Sequence, residues 1–127
     1  MRRSDQRRDA VFALYQREVT GGSLEDLLAD AKPFTRELAH GVDAVIAELD
    51  EEISRLARGW ELERIARLER SIMRVALYEM RHREEIPVEV AIDEAVGFAK
   101  GFCGAQAPAF VNGILGAAAR ELAEAPR

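Results

Sequence analysis

Apolar residues recur along this chain at spacings of three and four, the period that lets one face of an α-helix bury itself. In the first segment Ala10, Val11, Ala13, Leu14 and Val19 follow it, with Arg3, Arg7 and Arg8 projecting near its start. Ser4 is placed to cap this helix and Thr20-Gly21-Gly22 to stop it. Ser23, followed three residues later by Asp26, resembles a capping box with Asp in place of Glu, and it opens a short second helix through Leu24, Leu27, Leu28 and Ala31. Pro33 ends that helix or opens the next. Phe34, Leu38, Val42, Val45, Ile46, Leu49, Ile53 and Leu56 then keep helical spacing for more than twenty residues, with Gly59 as the stop, which predicts the longest helix of the chain.

Trp60 and Leu62 begin a fourth helical segment. Ile65, Leu68, Ile72, Val75, Ala76 and Met80 mark its buried face as far as about Arg83, enough apolar surface to predict a central helix. A short connection from Glu84 leads into a fifth helix with Pro87 at its first position, where the missing N–H has no intrahelical partner to lose. Val88, Ala91, Ile92, Ala95, Val96, Ala99 and Phe102 form its apolar face. Pro108 starts a sixth helix ending near Leu122, followed by a frayed tail from Ala123 to Arg127. No run reads convincingly as a strand. The pattern predicts an all-α domain of six helices packed as two halves of three.

A chain of 127 residues is most simply one domain, able to bury about two-thirds of its unfolded surface without metals or disulfides. Its apolar content of 48% and charged content of 32% are ordinary for a water-soluble protein. The single Cys103 cannot close an internal disulfide, and no signal peptide or membrane-spanning apolar run is visible, so the chain reads as cytoplasmic with no membrane span.

Candidate chemistry is sparse. His40, His82 and Cys103 lack metal-ligand spacing, so no metal site is expected. His40 is expected to pack or face solvent, and Cys103 to be a small buried or turn-adjacent thiol. Gly97 and Gly101, four apart, suit close helix packing and do not form a phosphate loop. Asp93 and Glu94 are neighbours and point about 100° apart on a helix, too divergent to share a proton, which leaves a solvated or capping role. Arg67, Arg70, Arg74 and Arg81 form a stripe with Tyr78, read either as an exposed salt-bridged face or as a docking surface. Within it Glu63 and Arg67, like Glu79 and Arg83, have the spacing of intrahelical pairs.

The net charge of −5 argues against a nucleic-acid partner, but the distribution of cations argues for one. Of 18 basic residues, only Lys32 and Lys100 are Lys, and Arg grips phosphate and stacks on bases better. Arg2, Arg3, Arg7 and Arg8 crowd the first eight residues, opposed there only by Asp5. Positive charge at a helix N-terminus opposes the macrodipole, a cost that phosphates would offset. The alternative is a soluble leader with no partner.

Several motifs in one order carry a resemblance. Arg3 and Arg7 precede Ala10-Val11-Phe12-Ala13-Leu14-Tyr15, and Glu69-Arg70-Ser71-Ile72-Met73-Arg74-Val75-Ala76-Leu77-Tyr78-Glu79 follows. Pro87, Val90-Ala91-Ile92-Asp93-Glu94-Ala95-Val96, Ala99-Lys100 and Phe102 come next, and Phe110-Val111-Asn112-Gly113-Ile114-Leu115 closes the set. With these the chain resembles the NusB family of bacterial transcription antitermination factors along nearly its full length.

The resemblance implies an all-helical fold of two three-helix bundles and a non-enzymatic task without a cofactor. It implies binding of boxA-type single-stranded RNA together with NusE, a small-subunit ribosomal protein, within the RNA polymerase antitermination complex on ribosomal RNA operons. By that likeness Arg3 and Arg7, with Arg2 and Arg8 beside them, hold the RNA, aided by Phe110 and Asn112. Glu69, Tyr78 and Glu79 are implied on the NusE-facing side.

The chain departs from the family pattern at Asp93, where Asn is usual, and over Gln106-Ala107-Pro108-Ala109, which lacks the expected basic residue. Four arginine–phosphate contacts would give a log–log salt slope of roughly −3 on single-stranded RNA. A NusB-like module also forms the N-terminal part of an RNA cytosine methyltransferase, but 127 residues leave no room for that catalytic domain. The alternative is a helical protein-interaction adaptor related to that module, with weak or no RNA binding.

Overall fold

The computed structural model describes residues 1–125. Among them the chain is all-helical, with seven α-helices: α1 (Arg3–Thr20), α2 (Leu24–Leu27), α3 (Pro33–Ala44), α4 (Ile46–Leu56), α5 (Arg67–His82), α6 (Val88–Phe102) and α7 (Ala107–Glu124). A single 3-10 turn over Leu62–Arg64 precedes α5. The predicted tail is shorter than expected, since Ala123 and Glu124 belong to α7. Pro126 and Arg127 lie outside the described residues.

The seventh helix comes from a break in the segment read as one long helix. Val45 adopts φ −125°, and its N–H bonds back three residues to Val42 instead of four. The chain turns there, so α3 packs on α1 and α5 while α4 packs on α5 and α7. Spacing hid this because Val42 and Leu49, seven apart, stay in phase on either side of the break. The longest helices are therefore α1 and α7, at 18 residues each.

Other boundaries also shift. Steps of three through Leu62, Ile65 and Leu68 fit a 3-10 turn as well as an α-helix, and Trp60 through Ala66 stays outside α5. Pro87 is the N-cap residue of α6 with ψ 140°, one position before the helix. The stop after α1 is as expected: Gly21 takes φ +73°, and its N–H bonds to Arg17 O. Ser23 Oγ accepts the N–H of Asp26 at 3.4 Å, as a capping residue does.

Helix α5 is central, as its pattern predicts. Ten of its 16 residues are buried, and it packs against α1, α3, α4, α6 and α7. A division into two bundles is compatible with this packing, with α5 common to both. Ile72, Met73, Leu77 and Met80 join Leu14, Leu38, Ile53 and Leu115 in a continuous core.

Helix α1 also serves as the cap of α3. Gln6 Oε1 accepts the N–H of Phe34 at 3.2 Å, one of the donors the first turn of α3 leaves free, and the Thr35 hydroxyl donates to Gln6 O at 2.9 Å. Tyr78 of α5 packs closely against Gly41 of α3. A Cβ at position 41 would stand 2.2 Å from Tyr78 Cζ. We predict that Gly41→Ala lowers stability by about 1–3 kcal/mol through overpacking, although Ala is favoured over Gly in a helix by about 1 kcal/mol. The same substitution in a Tyr78→Ala background should be neutral or stabilising. Urea denaturation of the four proteins checks this, and a stabilised Gly41→Ala single variant would contradict it.

Candidate nucleic-acid interface

Positions 7, 11, 14 and 18 of α1 form one stripe, since eleven residues bring a helix back to within about 20° of its starting direction. The stripe reads Arg7, Val11, Leu14, Glu18, apolar in the middle and charged at its ends. It lies along α5 with its charges matched. At one end Arg7 Nε donates to both carboxylate oxygens of Glu79 at 2.9 Å. At the other, Glu18 meets two arginines of α5: Arg70 Nη1 at 3.4 Å and Arg74 Nη1 at 3.0 Å. Arg74 also donates to both carboxylate oxygens of Asp50 in α4, at 2.7 and 3.0 Å. Arg7, Arg70, Arg74 and Glu79 are all buried.

Two expectations change here. Arg70 and Arg74 form neither an exposed salt-bridged face nor a docking surface, because they point inward to partners on other helices. Glu79 does not pair with Arg83 four residues on. Its side chain is only 1% exposed and turned to Arg7, while Arg83 meets Glu37 at 3.1 Å and Glu85 at 2.6 Å. Arg7 itself is 8% exposed and paired with Glu79.

Burial pushes the Glu79 carboxyl above the ordinary carboxylate range, the Arg7 charge opposes that rise, and nearby Glu94 adds to it. A carboxyl shifted upward contributes less to stability as pH climbs through the raised value. Removing both ions from water offsets much of their mutual attraction.

The other N-terminal arginines stay at the surface. The Arg3 guanidinium lies 4.3 Å from the centre of the Phe34 ring and the Arg8 guanidinium 5.6 Å from that of Phe102. Both are cation–π distances. Arg2 Nε stands 3.6 Å from Asp5. Among the described residues, the basic side chains with no ion pair are Arg3, Arg8, Lys32, Arg58, Arg67, Lys100 and Arg120. Phe102 is 49% exposed and packs edge-on against Phe12, with ring centres 5.3 Å apart, which ties the end of α6 to α1.

A groove of about 550 Å³ runs beside this end of α1, between α1, α5 and α6. Arg7, Arg8, Glu79, Glu94, Gly97 and Phe102 are among its lining residues. Gly97 and Gly101 are exposed, and a Cβ on either would meet nothing within 4 Å. They keep the groove wall low and do not serve close packing. Ser4 does not cap α1: its hydroxyl donates to Glu94 Oε1 at 2.6 Å, and Arg7 Nη1 stands 3.7 Å from the same oxygen. Glu94 is thus an interhelical tie, and Asp93 is exposed.

Phe110 and Asn112 lie in the first turns of α7, joined to Phe102 by the turn 103–106. Phe110 is half-buried, with its ring 5.8 Å from that of Trp60, and Asn112 is exposed. The three residues expected on a partner face, Glu69, Tyr78 and Glu79, all lie on α5. Glu69 and Tyr78 are nine residues apart on α5, which places them on opposite sides of the helix. Tyr78 faces Gly41 and stacks on His82. Glu69 lies within electrostatic reach of Cys103 at the α6–α7 turn, and partial burial pushes its carboxyl up. Burial likewise pushes the Cys103 thiol up, and His40 faces Glu25 at 3.2 Å near the surface. Among the described residues no group of three or more His, Cys, Asp or Glu could hold a metal ion, and none of their helices is long and apolar enough to cross a membrane.

Comparison with known proteins matches the NusB family model over residues 4–120. The transcription antitermination protein NusB of Rubrobacter xylanophilus is 40% identical over 122 residues, covering 91% of this chain and 88% of that one. The NusB protein of Bacillus subtilis is 41% identical over 121 residues, covering 91% and 92%. Among solved structures, T. maritima NusB superposes with a TM-score of 0.88 at 31% identity, covering 95% of this chain and 92% of that one. A structure of the antitermination factors NusB and NusE in complex with dsRNA superposes with a TM-score of 0.82 at 21% identity, covering 94% and 96%, a likeness of fold.

Removing one member of the buried pair leaves the other charge without its partner. We predict that Glu79→Gln or Arg7→Met alone costs about 3–5 kcal/mol, and that Arg7→Met/Glu79→Leu together recovers most of that loss. Thermal and urea denaturation in a double-mutant cycle measure it. Costs that simply add would show that the two side chains do not act as a pair.

Proposed function

The chain belongs to the NusB family, and from that premise we propose that it is a transcription antitermination factor that binds boxA-type single-stranded RNA together with NusE. In this reading it works within the RNA polymerase antitermination complex on ribosomal RNA operons, in the cytoplasm. The task is one of binding and calls for no reacting group. Residues 1–127 act as one RNA-binding domain.

The observation that carries the reading is the state of Arg3 and Arg8. Both are exposed, free of ion pairs, and held over aromatic rings at one end of α1. An overall charge of −5 gives no general attraction to phosphate, so RNA affinity has to come from such local cations. Arg2 contributes less because Asp5 faces it. Arg7 acts from the interior, orienting the start of α1 through Glu79 without touching phosphate. Phe110 and Asn112 extend the RNA surface along the start of α7.

On the NusE side, Glu69 is the residue best placed for a direct contact, beside the α6–α7 turn. Tyr78 and Glu79 support the helix that presents it. The NusB–NusE–dsRNA complex among the fold's relatives is consistent with a shared role for the two proteins.

Binding of labelled boxA-type RNA, with and without NusE and across salt, tests the proposal. Arg3→Ala/Arg8→Ala should weaken binding and reduce the magnitude of the salt slope by roughly 1.4, two phosphate contacts on a single strand, with thermal stability unchanged. RNA binding that is absent even with NusE would favour a helical adaptor without RNA, and binding indifferent to these arginines would overturn the RNA surface drawn here.

A further inference from the structure

The turn after α4 presents an aromatic residue that the reading above leaves unused. Trp60 N–H bonds to Ala57 O at 2.9 Å, closing a four-residue turn. Its third residue, Gly59, takes φ +83°, a conformation that favours glycine. The backbone thus holds Trp60 in place, yet the residue is 54% exposed, the largest side chain so presented on this protein. One edge contact anchors it: the Trp60 and Phe110 rings meet at 64° with centres 5.8 Å apart. Beside Phe110 the surface of α7 is low, since Ala109 and Gly113 are exposed and a Cβ on Gly113 would meet nothing within 4 Å. Two residues before Trp60, Arg58 is exposed and has no ion pair.

We propose that Trp60 is a stacking platform for a base of single-stranded RNA, with Arg58 as its phosphate contact, continuing the surface formed by Phe110 and Asn112. The inference rests on the RNA-binding reading and deepens it. An indole already positioned by a turn and an edge contact loses little freedom when a base covers its open face. Arg58 also supplies a cation on the side of the molecule where Ala109 supplies none. A protein partner would use the same tryptophan as a buried anchor, but the unpaired Arg58 beside it and the continuity with Phe110 favour a nucleotide.

Trp60 is the only tryptophan in the chain, so its fluorescence reports on this position alone. Titration of the full chain with boxA-type single-stranded RNA should quench that emission. Trp60→Ala should weaken RNA binding roughly 5- to 150-fold, the range expected for loss of one stacked base, with the salt slope unchanged, and Trp60→Phe should retain most of the affinity. Arg58→Ala should instead reduce the magnitude of the slope by roughly 0.7. Thermal melts show whether each variant is folded, and the quenching needs no variant. RNA binding that depends on Arg3 and Arg8 while Trp60 emission and Trp60→Ala affinity stay unchanged would overturn this inference and leave the RNA reading standing. Emission that responds to NusE but not to RNA would overturn it in favour of a protein contact. No RNA binding in any arm would remove both.

Discussion

The reversed pairing of charges along α1 and α5 is the constraint on which the rest of the structure depends. Arg7 near the start of α1 meets Glu79 near the end of α5, while Glu18 near the end of α1 meets Arg70 and Arg74 nearer the start of α5. Apolar contacts through Val11 and Leu14 would tolerate a shift of one turn or a reversal of direction. The charges do not, because either change would bring like charges together or leave buried ones unpaired. Arg74 carries the constraint onward to α4 through Asp50. The pairs thus specify one antiparallel register for the helix that touches five others.

That register has a functional consequence at the first turns of α1. With Arg7 drawn inward to Glu79 and Ser4 to Glu94, their neighbours four residues away on the same helical rows, Arg3 and Arg8, stay at the surface over Phe34 and Phe102. A cluster that reads in sequence as four equivalent cations is divided by the fold: one forms an internal strut, one faces Asp5, and two stand free. The acidic net charge fits this division, since about half of the arginines among the described residues are engaged by carboxylates of other helices.

The helical content, the central role of α5 and the stop at Gly21 were legible because each depends on local spacing or backbone preference. The break at Val45 was not, since the apolar faces of α3 and α4 remain in phase across it. Ion pairing was the least legible feature. Glu79 and Arg83 have the spacing of an intrahelical pair, but a buried carboxylate takes the partner that the neighbouring helix supplies, and that partner is 72 residues away in sequence. Of the RNA candidates, the family motifs point to Phe110 and Asn112, while spacing makes Trp60 only the start of a helix. Its exposure depends on the turn at Gly59 and the edge contact with Phe110, 50 residues on, which only the fold brings together.

The central claim is that Arg7 serves RNA binding by orienting α1 and not by touching phosphate. The most direct measurement is the salt dependence of RNA binding by the Arg7→Met/Glu79→Leu protein, which keeps the seam filled and uncharged. The account predicts a log–log slope equal to that of the unmodified chain. A slope smaller in magnitude by roughly 0.7, one phosphate contact, would contradict it and return Arg7 to the RNA.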